Sequence, residues 1–186
     1  MKGFSRRDLS FSLCGLCCAL CPMNLDGYCP GCGGGEGNQP CAIARCSLGR
    51  PGVEYCFQCG EYPCARYEMD PEYDLFITCR NRRRDLERAE RIGPETCRAE
   101  LERKRAHLKT LLAGYNDGRR KSFYCVAVNL LELGAVEGVM ERLAAEDARA
   151  LPLKERAELA ARLFREEAAR RGVELRLRRK PTKRRG

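Results

Sequence analysis

The stretch Cys29-Pro30-Gly31-Cys32-Gly33 returns in the same form as Cys56-Phe57-Gln58-Cys59-Gly60. Both are C-x2-C-G turns. Two intervening residues let both sulfurs face one ion, backbone N–H groups can donate to the thiolates, and the trailing glycine can take the positive φ such a turn often needs. Each reads as a zinc knuckle. Twenty-three residues lie between Cys32 and Cys56, slightly beyond the roughly 15–20 of a four-cysteine ribbon, but loop entropy rises only slowly with length. The spacing predicts a first closed site from Cys29, Cys32, Cys56 and Cys59.

Upstream, Cys14-Gly15-Leu16-Cys17-Cys18-Ala19-Leu20-Cys21-Pro22 carries C-x3-C-x2-C through Cys14, Cys18 and Cys21. That is the spacing by which three thiolates hold a [4Fe–4S] cluster in radical-SAM enzymes, and the Cys-Pro ending is shared with ferredoxins. No βα repeat of the kind such a barrel enzyme requires follows it. A second zinc would need only a fourth sulfur, from Cys41, Cys46 or Cys64. Spacing leaves zinc and iron–sulfur both open.

Composition agrees that sulfur is the working element. The 186 residues hold fourteen cysteines and one histidine, His107, and eleven of the cysteines lie between Cys14 and Cys64. Residues 1–70 carry six Lys/Arg against seven Asp/Glu, whereas the remainder carries 29 against 19, for a net charge of +9. This shift places a boundary near residues 65–70. The expected fold is mostly α: a small cysteine-rich, metal-stabilised N-terminal module with little regular structure (1–68), a helical bundle (69–171) and a basic tail (172–186). The chain is too short for a (β/α)₈ barrel, and no apolar run approaches the ~18 residues of a membrane span.

Disulfides would require export. Ser5-Arg6-Arg7-Asp8-Leu9 with the apolar residues up to Leu20 has the look of a twin-arginine signal, but Cys14, Cys17 and Cys18 interrupt it and no small-residue cleavage site follows. A soluble, cytoplasmic, metal-binding chain is the better expectation. A segment of about 65 residues, rich in glycine, is marginal on its own, whereas a four-thiolate zinc site contributes on the order of 10–16 kcal/mol at neutral pH.

The succession C-G-L-x-x-x-x-C-P (from Cys14), C-x-G-C (from Cys29), C-A-I-A-R-C (from Cys41) and G-V-E-Y-C-F-Q-C-G-E-Y-P-C (from Gly52) resembles the prokaryotic cysteine-rich family called domain of unknown function 3795. The run Tyr115-Asn116-Asp117-Gly118-Arg119-Arg120-Lys121-Ser122-Phe123-Tyr124-Cys125 through Leu131 resembles it too, so the likeness covers roughly residues 12–132. It implies metal binding in a prokaryotic cytosol but no reaction. The ligands it implies are Cys14, Cys18, Cys21, Cys29, Cys32, Cys41, Cys46, Cys56, Cys59 and Cys64, more than two four-coordinate ions need. Cys17 is additional to the family pattern.

Beyond the boundary the apolar residues take helical spacing. Helices are expected over 71–92 (Leu75, Cys79, Leu86 and Ala89 inward), 95–112, 120–133, 136–148 and 153–171. Gly93-Pro94 and Asn116-Asp117-Gly118 break them, and a short strand is expected at Val173, Leu175 and Leu177. Arg80, Arg82, Arg83 and Arg84 read as a solvated face, and His107 as a surface residue among cationic neighbours. Cys79, Cys97 and Cys125 read as buried small hydrophobes, with Cys17 and Cys125 as candidate redox thiols. Arg178, Arg179, Lys180, Lys183, Arg184 and Arg185 read as a disordered end able to bind polyanions weakly and without sequence selectivity.

Three functions follow, in order. The first is a cytoplasmic module holding structural zinc, two ions, that supports contact with a protein partner. The second is an iron–sulfur protein with a [4Fe–4S] cluster at Cys14, Cys18 and Cys21, in electron transfer or in support of an anaerobic redox enzyme. The third is a ribbon that binds nucleic acid through the tail. Neither a nucleophile–base pair nor a histidine-bearing open zinc site is visible, so the reading leans away from catalysis.

Overall fold

A computed structural model describes residues 2–35, 41–68 and 72–181. Among them the α-helices are α1 (Pro22–Leu25), α2 (Ala42–Ser47), α3 (Ala65–Glu68), α4 (Arg82–Ile92), α5 (Pro94–Gly114), α6 (Lys121–Leu130), α7 (Leu133–Ala145) and α8 (Leu153–Arg170). Single 3-10 turns form at Cys18–Leu20, Cys56–Gln58 and Ala148–Ala150, and no strand forms among the described residues. The chain is mostly helical, as expected.

Gly93, at φ 88°, ends α4, and Pro94 opens α5 at the position where its missing N–H costs nothing. Leu101, Leu108 and Leu111 share one buried face of α5, which packs against α4, α6 and α7. The Asn116 side chain accepts the N–H groups of Gly118 and Arg120, making the turn that starts α6. Every residue of α6 from Tyr124 to Leu130 is buried, because α5, α8 and α1 surround it.

The apolar core does not stop at the expected boundary. Phe11, Leu20, Tyr55 and Tyr67 belong to the same buried cluster as Leu86, Leu108, Val128 and Phe164. The Cys18–Leu20 turn rests on α5 and α6, and the Cys56–Gln58 turn rests on α4. Two glycines fasten these segments. A Cβ on Gly15 (φ +93°) would lie 2.1 Å from the Arg82 carbonyl oxygen, and one on Gly31 (φ +99°) would lie 2.2 Å from that of Leu9. Only glycine fits such approaches.

Four expectations are corrected. The first long helix begins at Arg82, and Leu75 is 77% exposed. Residues ahead of it are held open by Asp74, whose carboxylate accepts the N–H groups of Cys79 (3.0 Å) and Arg178 (2.9 Å) while its own N–H donates to the Arg178 carbonyl. The helix expected over 120–133 ends at Leu130, and the next already starts at Leu133. No strand forms at Val173, Leu175 and Leu177. Instead, Arg80 Nη2 donates to the Glu174 and Arg176 carbonyls, at 2.8 and 2.6 Å, and straps this segment down. Arg82 is likewise buried rather than solvated, 4.8 Å over the Tyr67 ring and donating to the Tyr67 carbonyl.

Candidate metal centre

No disulfide joins any of the fourteen cysteines, all of which are among the described residues. Ten of them sort into two neighbouring groups. The first is built from the Cys14 loop, the start of the Cys18–Leu20 turn, Cys21 at the head of α1, and the turn from Cys29 to Cys32. Burial pushes the Cys18 thiol far up, and Cys32, Cys14 and Cys21 are near enough to push it further. Burial also raises Cys32, with Cys14 adding to it, while the Leu13 N–H and the Arg6 guanidinium oppose. Cys21 is raised by burial, against N–H groups of Met23 and Asn24 directed at its sulfur. Backbone donors aimed at sulfur are what a knuckle supplies to a thiolate.

The second group is arranged around α2 and α3. Cys41 precedes α2, Cys46 lies within it, Cys56 opens a 3-10 turn that Cys59 closes, and Cys64 precedes α3. The Cys56 thiol is pushed up to about 12, by burial first and then by Cys14, Cys64, Cys59 and Cys41. Cys46, Cys56, Cys59 and Cys64 line one cleft of about 290 Å³, walled mainly by apolar side chains including Leu13, Ile43 and Val53. Arg50 lines it as well, donating to the Glu61 carboxylate at 2.7 Å and to the Cys46 sulfur.

Leu13 joins the two groups. Its N–H is directed at the Cys32 sulfur and its carbonyl accepts the Cys56 N–H at 2.8 Å. The two C-x2-C-G turns have different electrostatic neighbours: Cys32 lies within reach of Cys14 and Cys18, whereas Cys56 lies within reach of Cys14, Cys41, Cys59 and Cys64. Spacing along the chain carries no information about which turn folds back on which. Among the described residues, no three Cys, His, Asp or Glu side chains converge closely enough to hold a single ion as they stand.

The remaining candidates lie elsewhere. Cys17 is buried and turned toward the helices, its sulfur donating to Asp85 at 3.6 Å beside Lys104 in a separate cavity of about 380 Å³ that Cys97 also lines. Burial raises the Asp85 carboxyl and lowers the Lys104 ammonium there. Cys125 is buried in α6, within electrostatic reach of Cys21, and burial pushes its thiol up to about 12. Cys79 is buried against Asp74 and Arg178. His107 is half-buried, with Nε2 3.7 Å from Glu137. Arg178 is engaged with Asp74, Arg179 and Lys180 are exposed, and Lys183, Arg184 and Arg185 lie outside the described residues.

Composition and spacing gave no sign of Arg6 and Arg50. Arg6 sits in a pair that looks like part of an export signal, yet its side chain is 2% exposed and serves the carbonyls around the cysteines. Arg50 is one basic residue in a Pro-Gly turn, and only the folded chain brings it to Cys46. No helix among the described residues is long and apolar enough to cross a membrane. No family model matches the chain, and no curated protein or solved structure matches it either.

Proposed function

We propose that residues 14–64 form an all-thiolate metal-binding module, docked on the helical bundle, whose role is structural and whose use is contact with a protein partner. The observation that supports this is the sorting of ten cysteines into two adjacent groups, with backbone N–H groups directed at the sulfurs of the first. Zinc suits that first group: its donors are all sulfur, and a closed four-thiolate shell leaves no position for a reacting water.

Buried sulfurs crowded together favour the neutral thiol until a cation replaces the protons, so metal uptake and folding of the segment are linked. The test is metal content and metal affinity of the full-length protein purified anaerobically. The reading expects bound metal, reduced when Cys18 or Cys32 is replaced by serine. A chain that arrives without metal and takes up neither zinc nor iron on titration would refute it.

A further inference from the structure

We propose that the cleft between Cys46, Cys56, Cys59 and Cys64 is a [4Fe–4S] site, each of the four sulfurs binding one iron. The inference rests on the thiolate-metal reading of the segment and goes beyond it in assigning a cluster, rather than an ion, to this group. A tetrahedral ion bonded at about 2.3 Å holds its sulfurs roughly 3.8 Å apart and leaves no space among them. Here the four cysteines are among the residues lining one cleft of about 290 Å³, far more than the ~10–15 Å³ that one water-sized guest requires. A cubane of iron and sulfide is a guest that fills such a space while placing an iron before each thiolate.

The walls fit the same guest. Leu13, Ile43 and Val53 shield inorganic sulfide from water, and burial of this kind is one of the levers that set a cluster's properties. With four thiolates a [4Fe–4S]²⁺ cluster is anionic overall, and the cations available on the lining are Arg50, already donating to Cys46, and Arg66. The first group differs in kind: its sulfurs are met by the N–H groups of Leu13, Met23, Asn24 and Cys32. The four cluster ligands come from three pieces of chain, α2, the Cys56–Gln58 turn with the residue after it, and the residue before α3. Cys41, near Cys56 but not on the cleft, is left out of the ligand set.

The experiment uses full-length protein reconstituted under argon with ferric iron, sulfide and excess dithiothreitol, then desalted. The expected result is about four iron and four sulfide per chain, with visible absorbance near ~400 nm that bleaches with dithionite. Cys46→Ser and Cys59→Ser should each lower bound iron several-fold, while Cys97→Ser, outside both cysteine groups, leaves it unchanged. Should a variant fail to fold, iodoacetamide footprinting of the reconstituted wild type answers the same question. Cys46, Cys56, Cys59 and Cys64 should be protected and Cys41 labelled. A colourless protein that binds only zinc after reconstitution overturns the cluster and leaves the metal module standing. A cluster lost in Cys29→Ser but kept in Cys59→Ser also overturns the assignment, and a chain that binds no metal at all refutes both readings.

Discussion

Arg6 donates to the Glu54 carbonyl through Nε, at 3.1 Å, and Nη2, at 2.8 Å, from a side chain only 2% exposed. Its Nη1 reaches the carbonyls of Asp8 and Phe11, and the Glu54 carboxylate accepts the N–H groups of Arg7 and Asp8. Asp8 in turn accepts the Tyr55 hydroxyl at 2.7 Å. The N-terminal segment is thereby locked to the loop that carries Cys56 and Cys59. Leu13, two residues beyond Phe11, continues this segment to the Cys56 N–H, which its carbonyl accepts at 2.8 Å.

Arg6→Met should therefore destabilise the protein by about 3 kcal/mol or more, since several buried carbonyls lose a charged donor at once. Arg6→Lys should recover less than half of the loss, because one ammonium cannot reproduce a planar fork facing four carbonyls. Urea unfolding of the two variants beside the wild type measures both numbers. Wild-type stability in Arg6→Met would show that the lock is incidental.

Gly15→Ala and Gly118→Ala separate backbone strain from collision. Both glycines have φ near +90°, but a Cβ on Gly118 meets nothing within 4 Å, whereas on Gly15 it would strike the Arg82 carbonyl. Gly118→Ala should cost about 1–2 kcal/mol from conformation alone, and Gly15→Ala clearly more. Thermal unfolding midpoints decide this, and equal losses would mean that the Cys14 loop does not approach α4 so closely.

The features legible in the sequence were local ones. Gly93-Pro94, the Asn116-Asp117-Gly118 turn and the 3.6-residue stripes of α5 through α8 act through neighbours a few positions away, so their spacing is their mechanism. The start of α4 was not legible, because Asp74 is committed to Arg178, 104 positions away. The arginines at 80 and 82 looked like a solvated face for the same reason: the carbonyls that receive them come from residues 67, 174 and 176. In the cysteine segment, sequence identified the sulfurs but not their partners. Which turn faces which depends on Leu13 and on the close approaches of Gly15 and Gly31.

Asp74 predicts an acid-sensitive clasp. Burial alone would raise its carboxyl, but the N–H groups of Arg178 and Cys79, the Cys79 thiol and the Arg178 guanidinium outweigh it and hold the group at about 2. A folded value below the unfolded one, near 3.9, contributes stability above pH ~4 that is lost as pH falls toward about 2. Asp74→Asn should lower the unfolding midpoint at pH 7 and flatten its dependence on pH between about 4 and 2. If wild type and variant lose stability in parallel across that interval, Asp74 is not the group responsible.

Removing metal should not unfold the bundle. Phe11, Leu13 and Leu20 are 3%, 2% and 0% exposed, and the Cys18–Leu20 turn packs on α5 and α6, so the N-terminal part of the segment has apolar anchorage independent of any ion. Residues 41–64 have less: of their cysteines none is fully buried, and Ala44 and Tyr55 are their only buried apolar residues among those described. Prolonged chelation under reducing conditions should thus leave the far-ultraviolet helix signal nearly intact while making residues 41–64 the first to be cut by protease and the first to exchange amide hydrogens. Cys17, Cys79 and Cys125, all buried, should stay unreactive to iodoacetamide until the helices melt. Simultaneous loss of helix signal and labelling of Cys125 on chelation would instead make the ion the keystone of the entire chain, and the shared core would have to be assigned a secondary part in its stability.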